Sequence, residues 1–135
     1  MPIVAYLASP YTFQSKSKEI GLSKPENSEK AREVEERRYQ LVTEVAAKLS
    51  QVGFTPISPI TQSHPMAKDH GLKKDFNFWA EHDFTLISRS DIVMVLMQEG
   101  WQQSTGVTEE VNFAKQHNIP VLYISYQNGQ IILGE

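Results

Sequence analysis

Two adjacent carboxylates, Glu109 and Glu110, lie in the second turn of a predicted helix that follows a buried strand. The strand is predicted from the continuous apolar run Ile92 to Met97. The chain then turns and restarts at Ser104-Thr105-Gly106, a favourable helix start. Open α/β sheets bind ligands where a helix begins at the carboxyl end of a parallel strand, because the free N–H groups and the helix dipole favour anions. Carboxylates so close to such a site indicate a chemical role.

Two further polar side chains interrupt apolar patterns. Tyr6 breaks the opening run Pro2 to Ala8, which is typical of a strand and ends at Ser9-Pro10-Tyr11. Asp83 falls on the apolar stripe of a predicted helix from Asp75 to Arg89. An ionisable group on such a stripe either has buried partners or faces a cavity, and burial raises the pKa of a carboxyl unless cations or donors compensate. A helix cap or an ion pair to another segment is the alternative role for Asp83.

Candidate ligand contacts also follow a third strand. Phe54 to Ser58 is predicted to be an edge strand because it contains a proline. We predict that Pro59 to Pro65 is a loop, in which Ser63 and His64 contact a ligand. No metal site is expected, because the chain has no cysteine and this histidine is not part of an HxH or HExxH motif.

Glu29 to Val52 is predicted to be the longest helix, with an apolar stripe that runs to Val52 and a stop at Gly53. Arg38 lies where an apolar residue of this stripe is due. Its guanidinium either covers the edge of the core or points into the ligand cleft, where it would pair with a phosphate or carboxylate. The polar segment before this helix, Thr12 to Ser28, is predicted to be a mobile insertion, either a lid or a surface loop.

Composition limits the class of protein. The chain has 135 residues, a formal net charge of −3 and no cysteine. This length predicts one domain, residues 1–135. Charges of both signs are spread along the chain, so neither nucleic acid nor an anionic membrane is an expected partner. No apolar run approaches the roughly 18 residues that span a bilayer. Together with the lack of cysteine, this predicts a soluble, cytoplasmic protein.

Strands and helices alternate along the whole chain. Ile119 to Ile124 is predicted to be another buried strand, and Asn128-Gly129 predicts a tight hairpin to a short antiparallel strand, Ile131 to Leu133. The alternation predicts an α/β fold: a doubly wound three-layer sandwich of the flavodoxin or Rossmann type, with a mainly parallel sheet of four or five strands. The carboxyl ends of the parallel strands then share one edge of the sheet.

Three segments resemble a known superfamily. VAYLASPY, HDFTLISRSDIVMVL and STGVTEEVNFA occur in the order of the corresponding blocks of the nucleoside 2-deoxyribosyltransferase-like superfamily, which includes the 2′-deoxynucleoside 5′-phosphate N-hydrolases. Within it, SPITQSHPMA, FNFWAEHD and GWQQSTGV resemble a bacterial and phage family of unknown function. The resemblance implies cleavage or transfer of an N-glycosidic bond, without a cofactor, in a homodimer or higher homo-oligomer.

The resemblance also implies roles for individual residues. Glu110 matches the glutamate nucleophile, Asp83 the aspartate that would protonate the departing base, and Tyr6 the tyrosine that would orient the nucleophile. Ser104 matches a serine that helps to hold a 5′-phosphate, and the N–H groups of Gly106 and Val107 would assist it. Ser9-Pro10-Tyr11-Thr12 replaces the glycine-rich phosphate loop of the hydrolases. Ser9 and Tyr11 are therefore candidate contacts for either a nucleoside or a nucleoside 5′-monophosphate.

Two other functions fit the same residues. One is a non-catalytic module that binds a nucleotide or nucleotide sugar on the same fold. The other is a phosphate-responsive signalling domain, although the end of the first strand lacks the clustered acidic residues of such domains. We expect a small-molecule nucleoside or nucleotide as the ligand of either the enzyme or the binding module.

Overall fold

A single mainly parallel sheet organises the part of the chain that the computed structural model describes, residues 2–13, 29–73 and 76–134. Its five strands are β1 (Val4–Ala8), β2 (Thr55–Ile57), β3 (Ile92–Leu96), β4 (Val121–Gln127) and β5 (Gln130–Leu133). They lie in the order β2-β1-β3-β4-β5, and only β5 runs antiparallel to its neighbour. The predicted α/β class and mainly parallel sheet are confirmed, and β2 lies at an edge, where its proline is tolerated.

Four α-helices connect these strands in the described residues: α1 (Glu29–Gln51), α2 (Pro59–His70), α3 (Phe76–Ser88) and α4 (Thr105–Gln116). A 3₁₀ turn, Trp101–Gln103, lies between β3 and α4. Nearly all of the predicted insertion, residues 14–28, lies outside the described residues, as does Asp75, the predicted first residue of α3.

Apolar side chains are buried on both faces of the sheet. One cluster joins alternate strand residues to α1 and comprises Ala5, Leu7, Val42, Val45, Leu49, Met94, Leu96 and Ile124. The opposite cluster joins the intervening strand residues to α3 and α4 and comprises Tyr6, Ala8, Ile87, Val93, Val95, Val107, Val111 and Ala114. Because successive side chains of a strand point to opposite faces, Tyr6 faces α3 and α4 while its neighbours face α1.

The prediction of a loop at Pro59 to Pro65 is wrong, because these residues form the first half of α2. Pro59 occupies the start of the helix, where its missing N–H costs nothing, and Gly71 ends the helix in a left-handed conformation (φ 71°). The hydroxyls of Thr43 and Thr61 are 2.7 Å apart and join α2 to α1. The helix therefore has a favourable start, a favourable stop and a contact with α1, although Pro65 cannot make its backbone hydrogen bond.

The apolar stripe of α1 ends one turn earlier than predicted. Val45 and Leu49 are buried, but Val52 is 58% exposed. The helix ends at Gln51, and Gly53 reverses the chain with φ 105°, so Val52 lies beyond the last helical turn and outside the core.

The hairpin prediction agrees with the structure. Asn128 (φ 53°) and Gly129 (φ 76°) both adopt the left-handed conformation and connect β4 to β5, as the Asn-Gly signal indicates. Asp91 accepts a hydrogen bond from the Val4 N–H group through Oδ2, at 2.8 Å. This aspartate therefore joins the starts of β1 and β3.

Candidate functional site

A cleft lies at the carboxyl end of β1, beside the N-termini of α2 and α4. In the order β2-β1-β3-β4-β5, the connections from β1 and β3 leave in opposite directions along the sheet. Open α/β sheets bind ligands at this kind of switch point.

Eight of the eleven predicted site residues line this cleft. Tyr6, Ser9 and Tyr11 come from β1 and the residues after it, and Ser63 and Asp83 come from α2 and α3. Ser104, Gly106 and Glu110 come from the start of α4. The other three, Arg38, His64 and Val107, lie behind this lining.

The centre of the cleft is a buried tyrosine–glutamate pair. The Tyr6 hydroxyl donates a hydrogen bond to Glu110 Oε2 at 2.8 Å. Tyr6 is fully buried and Glu110 is 6% exposed, whereas Glu109 points to solvent. Positions 107, 110, 111 and 114 form the buried face of α4, so helical spacing turns Glu110 inward and Glu109 outward.

Asp83 completes this group. It is 7% exposed, and its carboxyl group interacts with Tyr6 and Glu110. Its Oδ1 also lies 3.1 Å from Nδ1 of His82. The structure therefore brings together Tyr6, Asp83 and Glu110, three residues from three separate elements.

Burial controls the protonation of the two carboxyls. Desolvation raises the pKa of Glu110 well above its ordinary value, and the neighbouring charge of Asp83 raises it further. Desolvation also raises the pKa of Asp83, although its contacts with Glu110, His82 and Tyr6 oppose this shift. Two close carboxyls cannot both ionise cheaply, so the pair retains one shared proton well above the pH at which a free carboxyl loses it. Such a pair supplies an anion and an acid at the same place.

Desolvation also raises the pKa of the Tyr6 phenol, and the charges of Glu110 and Asp83 raise it further. The tyrosine therefore remains a neutral donor. Its hydrogen bond favours the ionised form of Glu110 and occupies one of the two carboxylate oxygens.

The start of α4 differs from the expected phosphate cradle. The Val107 N–H group donates to Ser104 Oγ at 3.1 Å, which is an ordinary helix N-cap. The expectation that Val107 offers a free N–H group is therefore wrong, and its side chain belongs to the core. Ser104 accepts this bond and retains its hydroxyl proton for the cleft. Gly106 packs under Phe76, and a β-carbon there would lie 3.3 Å from the ring.

His64 lies behind Tyr11 in a hydrogen-bonded row. The Tyr11 hydroxyl lies 2.6 Å from His64 Nδ1, and His64 Nε2 lies 2.8 Å from Glu36 Oε1. The Tyr39 ring stacks on the imidazole at a centroid distance of 4.2 Å. His64 therefore reaches the cleft only through Tyr11, which corrects the expectation of direct ligand contact.

Arg38 does not line the cleft. It donates through Nη1 to the backbone carbonyls of Thr12 at 2.9 Å and Tyr11 at 3.3 Å. Burial lowers the pKa of the guanidinium, and the charge of Glu99 opposes the shift. Arg38 therefore fixes the chain after β1, so that Tyr11 keeps its position in the cleft.

Gly100 is essential to this arrangement, because it has φ 93° and a β-carbon there would overlap Arg38 Nη2. We expect Gly100→Ala to lower the free energy of unfolding by about 1–3 kcal/mol through backbone strain, and to displace Arg38. Gly53→Ala is the matched control, because Gly53 has φ 105° and open space around its α-carbon. We expect Gly100→Ala to lower the free energy of unfolding, measured with urea, more than Gly53→Ala does. This difference between the two variants should disappear when Arg38 is also replaced by alanine. Equal losses at both glycines in the wild-type background would contradict the role of Arg38.

Sequence reasoning missed several residues around the site. Phe76 and Trp79 line the cleft, and Trp79 donates through Nε1 to the Lys73 carbonyl at 2.7 Å. Both belong to the predicted apolar face of α3. The apolar pattern does not show whether a residue on this face packs in the core or lines the cleft. Neither His82 nor Glu36 belongs to a sequence pattern that predicts a role, because their partners are known only from the folded structure.

Among the described residues, no group of three or more histidine, aspartate or glutamate side chains is placed to hold a metal ion. In the same part of the chain, no helix combines the length and the apolar character needed to cross a membrane.

Residues 3–126 match a family model described as a domain of unknown function, DUF1937. A search of curated proteins finds no match.

Proposed function

The chain belongs to the DUF1937 family, and we propose that its cleft cleaves or transfers the N-glycosidic bond of a nucleoside or nucleoside 5′-monophosphate. The observation that carries the proposal is the buried hydrogen bond between Tyr6 and Glu110, 2.8 Å long, beside a second buried carboxyl group. We also propose that the family belongs to the nucleoside 2-deoxyribosyltransferase-like superfamily, with a doubly wound three-layer sandwich and a homo-oligomeric assembly.

In the first step, Glu110 is the nucleophile. Tyr6 holds Oε2, and Oε1 is the oxygen that attacks the anomeric carbon C1′. A bond forms between this oxygen and C1′ while the bond from C1′ to the base nitrogen breaks, and the bonding electrons leave with the base. A carboxylate stabilises the oxocarbenium-like sugar of such a transition state and captures it as an ester.

Asp83 supplies the proton that the departing base requires. Burial keeps a proton on the Asp83–Glu110 pair, and the Tyr6 hydrogen bond favours placing the negative charge on Glu110. The reaction proceeds from the state in which this proton lies on Asp83, where it acts as a general acid, although the contacts with Glu110 and Tyr6 favour ionised Asp83 in the resting pair. The His82 contact favours ionised Asp83 and so opposes this assignment, which makes His82 a modulator of the acid.

In the second step, the ester is resolved by an acceptor. Water gives hydrolysis, and a second free base gives exchange. The acceptor bonds to C1′, the ester bond breaks with its electrons returning to Glu110, and the acceptor's proton passes to Asp83. The starting protonation state is thereby restored.

A chromatographic assay tests this proposal. The protein is incubated with deoxy- and ribonucleosides and their 5′-monophosphates, with and without a second free base, and released or exchanged base is measured. We expect base release or exchange with at least one substrate. Saturable binding without any turnover would instead support the non-catalytic binding module.

Tyr6→Phe tests the orienting hydrogen bond and changes only one oxygen atom. We expect base release to fall by about 10–100-fold, because the anion on Glu110 loses its donor and its fixed orientation. Tyr126→Phe is a suitable control, since the Tyr126 hydroxyl donates to Glu44 on the exposed surface. Equal rates for Tyr6→Phe and the wild type would show that the bond has no part in the reaction.

A further inference from the structure

The described lining of the cleft contains carboxyl groups and no cation. Asp83 and Glu110 contribute acidic groups, and no lysine or arginine belongs to the lining. A phosphate monoester carries close to two negative charges at neutral pH. Placing it beside a carboxylate in a partly buried cleft is unfavourable unless a cation compensates.

Sequence reasoning offered four groups for a phosphate, and two of them, Arg38 and the Val107 N–H group, are already engaged. The guanidinium of Arg38 is held by the carbonyls of Tyr11 and Thr12. The Val107 N–H group is held by Ser104 Oγ. Of these four groups, the described lining of the cleft keeps only two neutral ones, the Ser104 hydroxyl and the Gly106 N–H group, and no cation.

The hydrogen-bonded row behind Tyr11 fixes what this tyrosine presents to the ligand. The hydrogen bond from His64 lowers the pKa of Glu36, so Glu36 is ionised and only accepts hydrogen bonds. His64 Nε2 must therefore carry the proton, and in a neutral imidazole Nδ1 is then an acceptor. With His64 in this neutral form, the Tyr11 hydroxyl, which lies 2.6 Å from Nδ1, donates its single proton to it. Only its lone pairs remain to face the cleft.

We infer that Tyr11 is a specificity-determining residue that accepts a hydrogen bond from an uncharged donor of the ligand, so that the site takes nucleosides in preference to nucleoside 5′-monophosphates. The donor is a sugar hydroxyl or an N–H group of the base. His64 and Glu36 are positioning residues, because they keep Tyr11 an acceptor. This inference rests on the proposed function for the ligand class and extends it to the choice of substrate.

Binding measurements separate this inference from the chemistry. Isothermal titration calorimetry with the full chain compares a nucleoside with its 5′-monophosphate and with 5′-deoxy, 3′-deoxy and base-N-methylated analogues. We expect the nucleoside to bind at least about ten-fold more tightly than the monophosphate, and one analogue to identify the donor by its weaker binding.

The Tyr11→Phe variant gives the decisive comparison. We expect its Kd to rise about ten-fold for ligands that carry the identified donor and to stay unchanged for the analogue that lacks it. Glu36→Gln should give the same pattern with a smaller change, because a glutamine no longer forces the proton onto His64 Nε2. Tyr39→Phe is the matched control, since it keeps the ring stacked on His64, and it should change neither Kd.

The outcomes are distinct. Equal losses for both ligands in Tyr11→Phe, or tighter binding of the monophosphate to the wild type, would overturn the inference even if base release is observed. The selective pattern without base release would support the inference and contradict the proposed glycosidic reaction. A wild type that binds no nucleoside would overturn both.

Discussion

Glu110→Gln is expected to reduce base release or exchange by at least about 10³-fold, because it removes the covalent nucleophile. The amide keeps the shape of the side chain, and its carbonyl oxygen still accepts the Tyr6 hydrogen bond. It cannot form the ester with C1′. The rate of base release by the purified variant, followed by chromatography, gives the measurement.

Glu109→Gln is the matched control, because it makes the same chemical change one residue away on the exposed face of α4. We expect wild-type rates for this variant. Glu110→Gln should also be at least as stable as the wild type at neutral pH, since it removes the repulsion between two buried carboxyls. If instead Glu109→Gln is inactive and Glu110→Gln is active, the assignment of the nucleophile is wrong.

The contribution of the Asp83–Glu110 pair to stability is expected to fall as the pH rises above about 4, the range in which unfolded aspartate and glutamate lose their protons. The pKa values of Asp83 and Glu110 are raised in the folded state, so the folded protein retains protons that the unfolded chain releases. Their contribution is fully present below the unfolded pKa values and is lost as the pH rises through the folded ones. Urea unfolding at a series of pH values measures this dependence.

Glu36 has the opposite effect on the pH dependence of stability. The His64 hydrogen bond lowers the pKa of Glu36, so its contribution to stability is lost as the pH falls. The test is therefore the difference between the wild type and Glu110→Gln. Stability should decline with pH more steeply in the wild type than in the variant, from about pH 4 upward. Parallel curves would contradict the raised pKa of the pair.

Much of the scaffold could be predicted because its signals are local. The apolar runs of β1 and β3, the Asn128-Gly129 turn and the serine cap of α4 each depend on a few adjacent residues. The inward direction of Glu110 follows from helical spacing in the same way. By contrast, the first half of α2 was predicted as a loop, because the internal Pro65 outweighed the favourable start at Pro59 and the stop at Gly71.

The surroundings of the cleft could not be predicted, because they depend on contacts between distant segments. His64 meets Glu36 across 28 residues, and Tyr11 meets His64 across 53. Arg38 is held by carbonyls 26 and 27 residues away. Neither residue type nor spacing indicates such pairs. Their role is visible only in the folded structure. These pairs determine how the Tyr11 hydroxyl can hydrogen-bond to a ligand.

The central claim is that Glu110 forms a covalent bond to the sugar, and intact-protein mass spectrometry tests it most directly. A nucleoside with fluorine at C2′ is the probe, because an electron-withdrawing substituent slows the formation and breakdown of an oxocarbenium-like state. We predict a mass increase equal to the fluorinated glycosyl group, mapped by peptide sequencing to Glu110 and absent in Glu110→Gln. Base release without an adduct on Glu110, or an adduct on another residue, would contradict this account.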